Sequence, residues 1–167
     1  METRPSIKIK LNTTDKIVEI LGWVAITMFW VLIIRNYAQL PDEIPTHFNF
    51  AGKVDAYGTK VNILALPIIA SVLFLGLSVL NKFPRFFNYP VPITEANAEK
   101  QYKAATRLLR YLKLILVLIF EMIAFVSIKE AVGSSEAYAL WLLPLILGMV
   151  FIPVIIYMAF VLRKTGK

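Results

Sequence analysis

The only histidine of the chain, His47, stands in a polar segment, residues 40–60, that also holds Asp42, Glu43, Thr46, Asn49, Asp55 and Lys60. An imidazole among carboxylates can hold a transition metal, here with Asp42, Glu43 or Asp55 as further ligands, or act as general base for a hydroxyl such as that of Thr46. One histidine and no cysteine is a thin donor set for zinc, so no metal or other cofactor is assigned. Thr46 adjoins His47 in sequence, but nucleophile, base and orienting acid are defined by geometry in space. No catalytic residue is therefore assigned, and the chain is read as a non-enzyme. A third use of the same side chains is structural: His47, Asn49 and Asp55 hydrogen-bond the loop into one conformation, while Pro41 and Pro45 stiffen its entry. Gly52 and Gly58 permit tight turns, and Lys60 anchors the loop at the membrane interface. A loop locked in this way presents a binding surface, with His47, Asn49, Asp55, Lys60, Pro45 and Gly52 as candidate binding residues.

The elements that must hold this loop are apolar. Hydrophobic residues make up 58% of the 167 and charged ones only 17%, which leaves too little polar surface for a soluble domain. Stretches near 17–34, 61–80, 108–128 and 138–162 approach the roughly 20 residues needed to cross a hydrocarbon core. The fold class is therefore an all-α integral membrane protein: a single domain, 1–167, with transmembrane helices at about 17–35, 61–81, 95–130 and 138–162. Helix 1 is followed by an ordered extracytoplasmic loop, and helix 3 carries a cytoplasmic extension. The first span follows Lys8, Lys10 and Lys16 as a secretory signal would, but its apolar run is longer than a signal core and Arg35 to Gln39 offers no small-x-small cleavage site.

The net charge of +7 sorts by side, which argues against a nucleic-acid surface. Fourteen of the eighteen basic residues fall in the N-terminal tail, the second connection or the C-terminal tail, leaving Arg35, Lys53, Lys60 and Lys129 elsewhere. The positive-inside rule places both termini and the second connection in the cytoplasm and the His47 loop outside. The expected location is a cell membrane, with lipid bilayer as the first partner.

In the second connection, Pro84, Pro90 and Pro92 deny a helix, and the aromatics around them suit the headgroup zone. Thr94 is the expected N-cap of helix 3, with Glu95 in its first turn. Ala98, Tyr102, Ala105, Leu109 and Leu112 recur at helical spacing, so the helix begins well before lipid. Lys100, Lys103, Arg107 and Arg110 on this extension make either a solvated, headgroup-facing surface or, across 95–113, a docking site for a cytoplasmic protein. Gly133 to Glu136 is a short turn, and Pro67, Pro144 and Pro153 are kinks inside spans.

Glu121 is the second outlier. Among Leu118, Ile119, Met122 and Ile123, an ionised carboxylate facing lipid costs several kcal/mol, so Glu121 is expected to face the bundle interior. There it either joins a polar cluster with Asn62, Lys60 or His47, or stays protonated against a backbone carbonyl.

The pattern Leu40-Pro41-x-x-Ile44-Pro45-Thr46-His47-Phe48-Asn49-x-x-Gly52-x-x-Asp55-x-x-Gly58-x-Lys60 resembles the signature of a bacterial membrane family, domain of unknown function 1648. That domain also forms the N-terminal part of SdpI-like immunity proteins. Asn88 to Glu95 followed by Gln101-Tyr102 is similar to a second element of those proteins. The resemblance implies a four-span protein of the short type in the bacterial cell (inner) membrane, associated with protection against a secreted peptide toxin. The expected function is thus a non-enzymatic accessory or immunity-type protein that recognises a peptide toxin or membrane-protein partner through loop 40–60. The alternative is a small ion- or proton-coupled transporter using Glu121 as its protonatable group.

Overall fold

The computed structural model describes residues 4–133 and 138–163. Among these residues the helices are α1 (Thr13–Tyr37), α2 (Ala65–Leu80), α3 (Ala98–Ala131) and α4 (Tyr138–Leu162), and one hairpin, β1 (Glu43–Phe48) with β2 (Val54–Thr59), joins α1 to α2. All four helices are long and apolar enough to cross a membrane, α2 together with the 3-10 turn Lys60–Leu64 that leads into it. The chain is an all-α multi-pass membrane protein, and its two-stranded sheet is a minor addition at one end. Since the helices alternate in direction, the N-terminal segment and the α2–α3 connection share the other end, called the tail end below.

α3 is the central post. Its buried residues include Ala98, Tyr102, Ala105, Thr106, Arg110, Lys113, Val117 and Ala124, which lie along one side of the helix, and α1, α2, α4 and β1 all pack on it. At 34 residues it is about 51 Å long at 1.5 Å per residue, well beyond the bilayer core. The stripe departs from the expected one halfway along. After Ala105 it passes through Arg110 and Lys113, while Leu109 and Leu112 are only half-buried, because the facing surface of α1 offers the carboxylates of Asp15 and Glu19.

The cap of α3 also differs from expectation. Its N-cap is Asn97, three residues after Thr94. The Asn97 side chain accepts a hydrogen bond from the Thr94 amide and donates to the Pro92 carbonyl, folding 94–97 into a turn that postpones the helix. α1 begins at Thr13, earlier than the apolar run, because Asn12 and Asp15 form a capping box in which each side chain accepts from the other's backbone amide.

Pro67 does not kink α2: it is the third residue of the helix, where the missing N–H costs no intrahelical bond. α4 runs unbroken through Pro144 and Pro153. It packs chiefly on α3, and among its described residues only Val161 is buried, so it turns apolar side chains to lipid nearly all round. The expected turn at 133–136 lies outside the described residues except for Gly133, which takes φ 78°.

Candidate functional site

The segment expected to be an ordered loop is a β-hairpin. Its pairing runs from Glu43↔Thr59 through Pro45↔Tyr57, slips locally at His47, which stands opposite Ala56, and is regular again at Phe48↔Val54. Ile44 and Pro45 hold the hairpin down: both are buried, and Ile44 shares one apolar core with Leu40, Ile63, Ala124 and Ile128. The base is closed by Lys60, whose ammonium lies 3.1 Å from the Asp42 carboxylate and whose amide donates to the Asp42 carbonyl. The turn is built by Asn49, which accepts at Oδ1 from the Ala51 and Lys53 amides, with Gly52 in the left-handed region at φ 72°. Gly58 is needed for close approach: a Cβ there would stand 2.5 Å from Asn62 Nδ2 and 3.0 Å from Thr46 Cγ2.

His47 Nδ1 is hydrogen-bonded to Asp55 Oδ1 across the strands, and both side chains are exposed. The pairing expected among His47, Asn49 and Asp55 thus divides in two: His47 with Asp55 on the strands, Asn49 alone in the turn. An exposed pair of this kind is worth about 0–1 kcal/mol, small beside the apolar anchor. We therefore expect His47→Ala to lower thermal stability by less than about 1 kcal/mol and to leave the hairpin protected from proteolysis. A loss of several kcal/mol, or rapid cleavage between residues 43 and 59, would contradict that division. Among the described residues no three His, Asp or Glu side chains are grouped so as to hold a metal.

Glu121 lies on the inward stripe of α3 between Val117 and Ala124 and is half-buried, as its charge demands. The polar cluster with the loop is not formed. His47 is engaged by Asp55 and Lys60 by Asp42, and Glu121 makes no hydrogen bond or ion pair among the described residues.

A second polar constellation, at the tail end, escaped the sequence reading. Asp15 of α1 is buried and takes Arg107 of α3, Nε to Oδ1 at 2.9 Å. One turn on, Glu19 lies 3.2 Å from Arg110 Nε and accepts from Lys113 Nζ at 2.7 Å. Lys113 also donates to Ser78 of α2 at 2.8 Å and stands over the Phe74 ring, so a single ammonium ties three helices together. The basic residues of the extension are therefore not one solvated face: Arg107, Arg110 and Lys113 are turned to α1, while Lys103 pairs with Glu99 along its own helix. The signal was present in sequence. Asp15 and Glu19 are four apart and Arg107, Arg110 and Lys113 three apart, so each set shares a helix face, with opposite charge and at the same end of its span.

The Asn88–Glu95 and Gln101-Tyr102 stretches come together here. Tyr102 is fully buried and donates to the Pro5 carbonyl at 3.1 Å, and Tyr89 packs on it with ring centroids 5.6 Å apart. Tyr89 donates to the Pro84 carbonyl at 2.8 Å, and burial pushes its hydroxyl above the ordinary phenol range, so it stays a donor. Arg4 closes the arrangement by donating to the Arg85 and Phe87 carbonyls.

Residues 15–70 match the family described as "Domain of unknown function (DUF1648)", a stretch that runs from α1 through the hairpin into α2 and stops short of the Asn88–Tyr102 element. An uncharacterized protein of Archaeoglobus fulgidus is 28% identical over 116 residues, covering 65% of this chain and 63% of the relative. The chain thus spans less than two thirds of that relative's length. No solved structure matches the chain.

Proposed function

We propose that this chain, which carries a DUF1648 domain at residues 15–70, is a membrane-anchored recognition protein that presents its β-hairpin to a peptide or membrane-protein partner outside the cell. The observation that supports this most is the contrast between base and tip. The base is fixed by Ile44, Gly58 and the Lys60–Asp42 pair, while Phe50 at the tip is 93% exposed and Tyr57 stands out from β2. A tip held in one conformation binds without a large ordering cost, and aromatic side chains are favoured contacts. Protection against a peptide toxin, as in SdpI-like proteins, is the version of this reading that the loop signature suggests. The charge distribution supports an orientation in a prokaryotic cell membrane with the tail end in the cytoplasm.

The test is photocrosslinking in native membranes from a photoreactive residue at Phe50, followed by mass spectrometry. A discrete peptide or protein adduct that disappears in His47→Ala, whose hairpin stays folded, supports recognition by the hairpin. Lipid adducts alone, unchanged by that substitution, would mean that Phe50 is an interface anchor.

A second reading, proton- or ion-coupled transport, is favoured by one observation: Glu121 is a carboxyl on the inward face of a span without a hydrogen-bond partner among the described residues. Proteoliposomes would then show pH-driven flux that Glu121→Gln abolishes. Equal flux through both proteins would remove the reading.

A further inference from the structure

Arg110 is the buried charge that the fold leaves least satisfied. Its side chain is 8% exposed and lies near Glu19 and Asp15, yet neither its Nε nor its Nη1 makes a hydrogen bond. Its neighbours are already engaged, Asp15 by Arg107 and by the Asn12 amide, Glu19 by Lys113. Within the cluster two carboxylates, Asp15 and Glu19, face three cations, Arg107, Arg110 and Lys113, so one positive charge is left over. A buried guanidinium in that state is costly unless something else accepts its hydrogens.

Arg110 also lines a cavity of about 770 Å³ between the N-terminal segment, the α2–α3 connection and α3. That size falls within the range of about 300–1,000 Å³ usual for small-ligand sites. The lining brings together four cationic side chains, Lys8, Lys82, Arg85 and Arg110, and no carboxylate. Four cations with no carboxylate among them, one of them the surplus charge of the Asp15–Glu19 cluster, specify an anionic ligand.

We propose that this cavity binds the phosphate of a phosphate ester, with Lys8, Lys82, Arg85 and Arg110 supplying the positive charge around it. Two sources share this chemistry, a phospholipid headgroup and a soluble phosphate ester. The exposed rings of Phe83, which lines the cavity, and of Phe86 beside it suit the headgroup zone and favour the lipid. The site is independent of the hairpin and of the function proposed for it.

The full-length protein, stripped of lipid in a neutral detergent, tests this by binding calorimetry and by its thermal midpoint. The probes are dioctanoyl phosphatidylglycerol, glycerol 3-phosphate, inorganic phosphate and, as a control without phosphate, dioctanoylglycerol. Phosphatidylglycerol is expected to bind and raise the midpoint, and dioctanoylglycerol to do neither. The double substitution Lys82→Ala, Arg85→Ala, at exposed positions, should weaken binding about tenfold or more without altering the unliganded midpoint. Binding of phosphatidylglycerol but neither soluble phosphate identifies the lipid headgroup, and binding of all three identifies a phosphate site open to soluble esters. If no phosphate probe binds, if dioctanoylglycerol binds equally well, or if the Lys82/Arg85 protein binds as the wild type does, the proposal is overturned.

Discussion

Lys113→Ala is expected to lower the stability of the protein by about 3–5 kcal/mol, the usual cost of removing one partner of a buried ion pair. Lys113 is 1% exposed, so its ammonium is charged in a place that water does not reach, and its hydrogen bonds to Glu19 and Ser78 take the place of hydration. The alanine variant strands Glu19. Arg110 remains beside it, but without a hydrogen bond from its Nε, and Ser78 keeps only its bond to the Phe74 carbonyl. Glu19 is 26% exposed, so partial hydration of the stranded carboxylate draws the expected cost toward the lower end of that range. Denaturation in mixed detergent micelles, followed by tryptophan fluorescence, measures the change. The paired substitution Lys113→Met with Glu19→Gln should recover most of the loss, since it removes both charges and keeps the volumes. A cost under about 1 kcal/mol for Lys113→Ala would mean that the ammonium is hydrated and does not tie α1 to α3.

The spans and the hairpin were legible in the sequence to different depths, and for physical reasons. Crossing a membrane is a matter of length and apolarity, both of which a sequence states directly. The four apolar runs coincide with α1 to α4, and the departures are at caps, where one side chain such as Asn97 or Asn12 decides the boundary. The order of the 40–60 loop was legible from its prolines, glycines and aromatics, but its two strands were not. β1 contains Pro45, which argues against a central strand, and its burial does not alternate, since the adjacent Ile44 and Pro45 are both buried. Gly52 and Asn49 do the work expected of turn residues. Glu121 is half-buried between Val117 and Ala124, and partners for it could not be chosen from sequence, since a helical period gives the face and not what lies across from it. The largest omission, the Asp15–Glu19 cluster, has the same origin. Matching faces on α1 and α3 requires knowing that those helices are neighbours, which no local pattern specifies.

Phe74→Ala should cost about 3–5 kcal/mol, the range for emptying a large buried aromatic site. Phe74 of α2 is fully buried and meets two neighbouring helices at once. Trp23 of α1 presents its edge at 5.0 Å and 78°, Lys113 of α3 lies 4.5 Å above the ring, and Gly22 of α1 lets the backbone come so near that a Cβ would stand 2.8 Å from Cε2. Between helices in lipid the apolar effect gives little net attraction, so association depends on this kind of contact, and a void costs the contacts outright. The ring and the glycine should therefore be coupled. In the wild-type background Gly22→Ala forces its methyl into a ring that cannot move aside, for a loss of about 1–3 kcal/mol. With Phe74→Ala already in place the same methyl meets empty space and should be neutral or stabilising, giving a coupling of at least about 1 kcal/mol in the double-mutant cycle. Strict additivity would mean that the ring does not set the approach of α1 to α2. The double variant Phe74→Ala, Lys113→Ala should likewise lose less than the two single losses together, because the ammonium over the ring is counted in both.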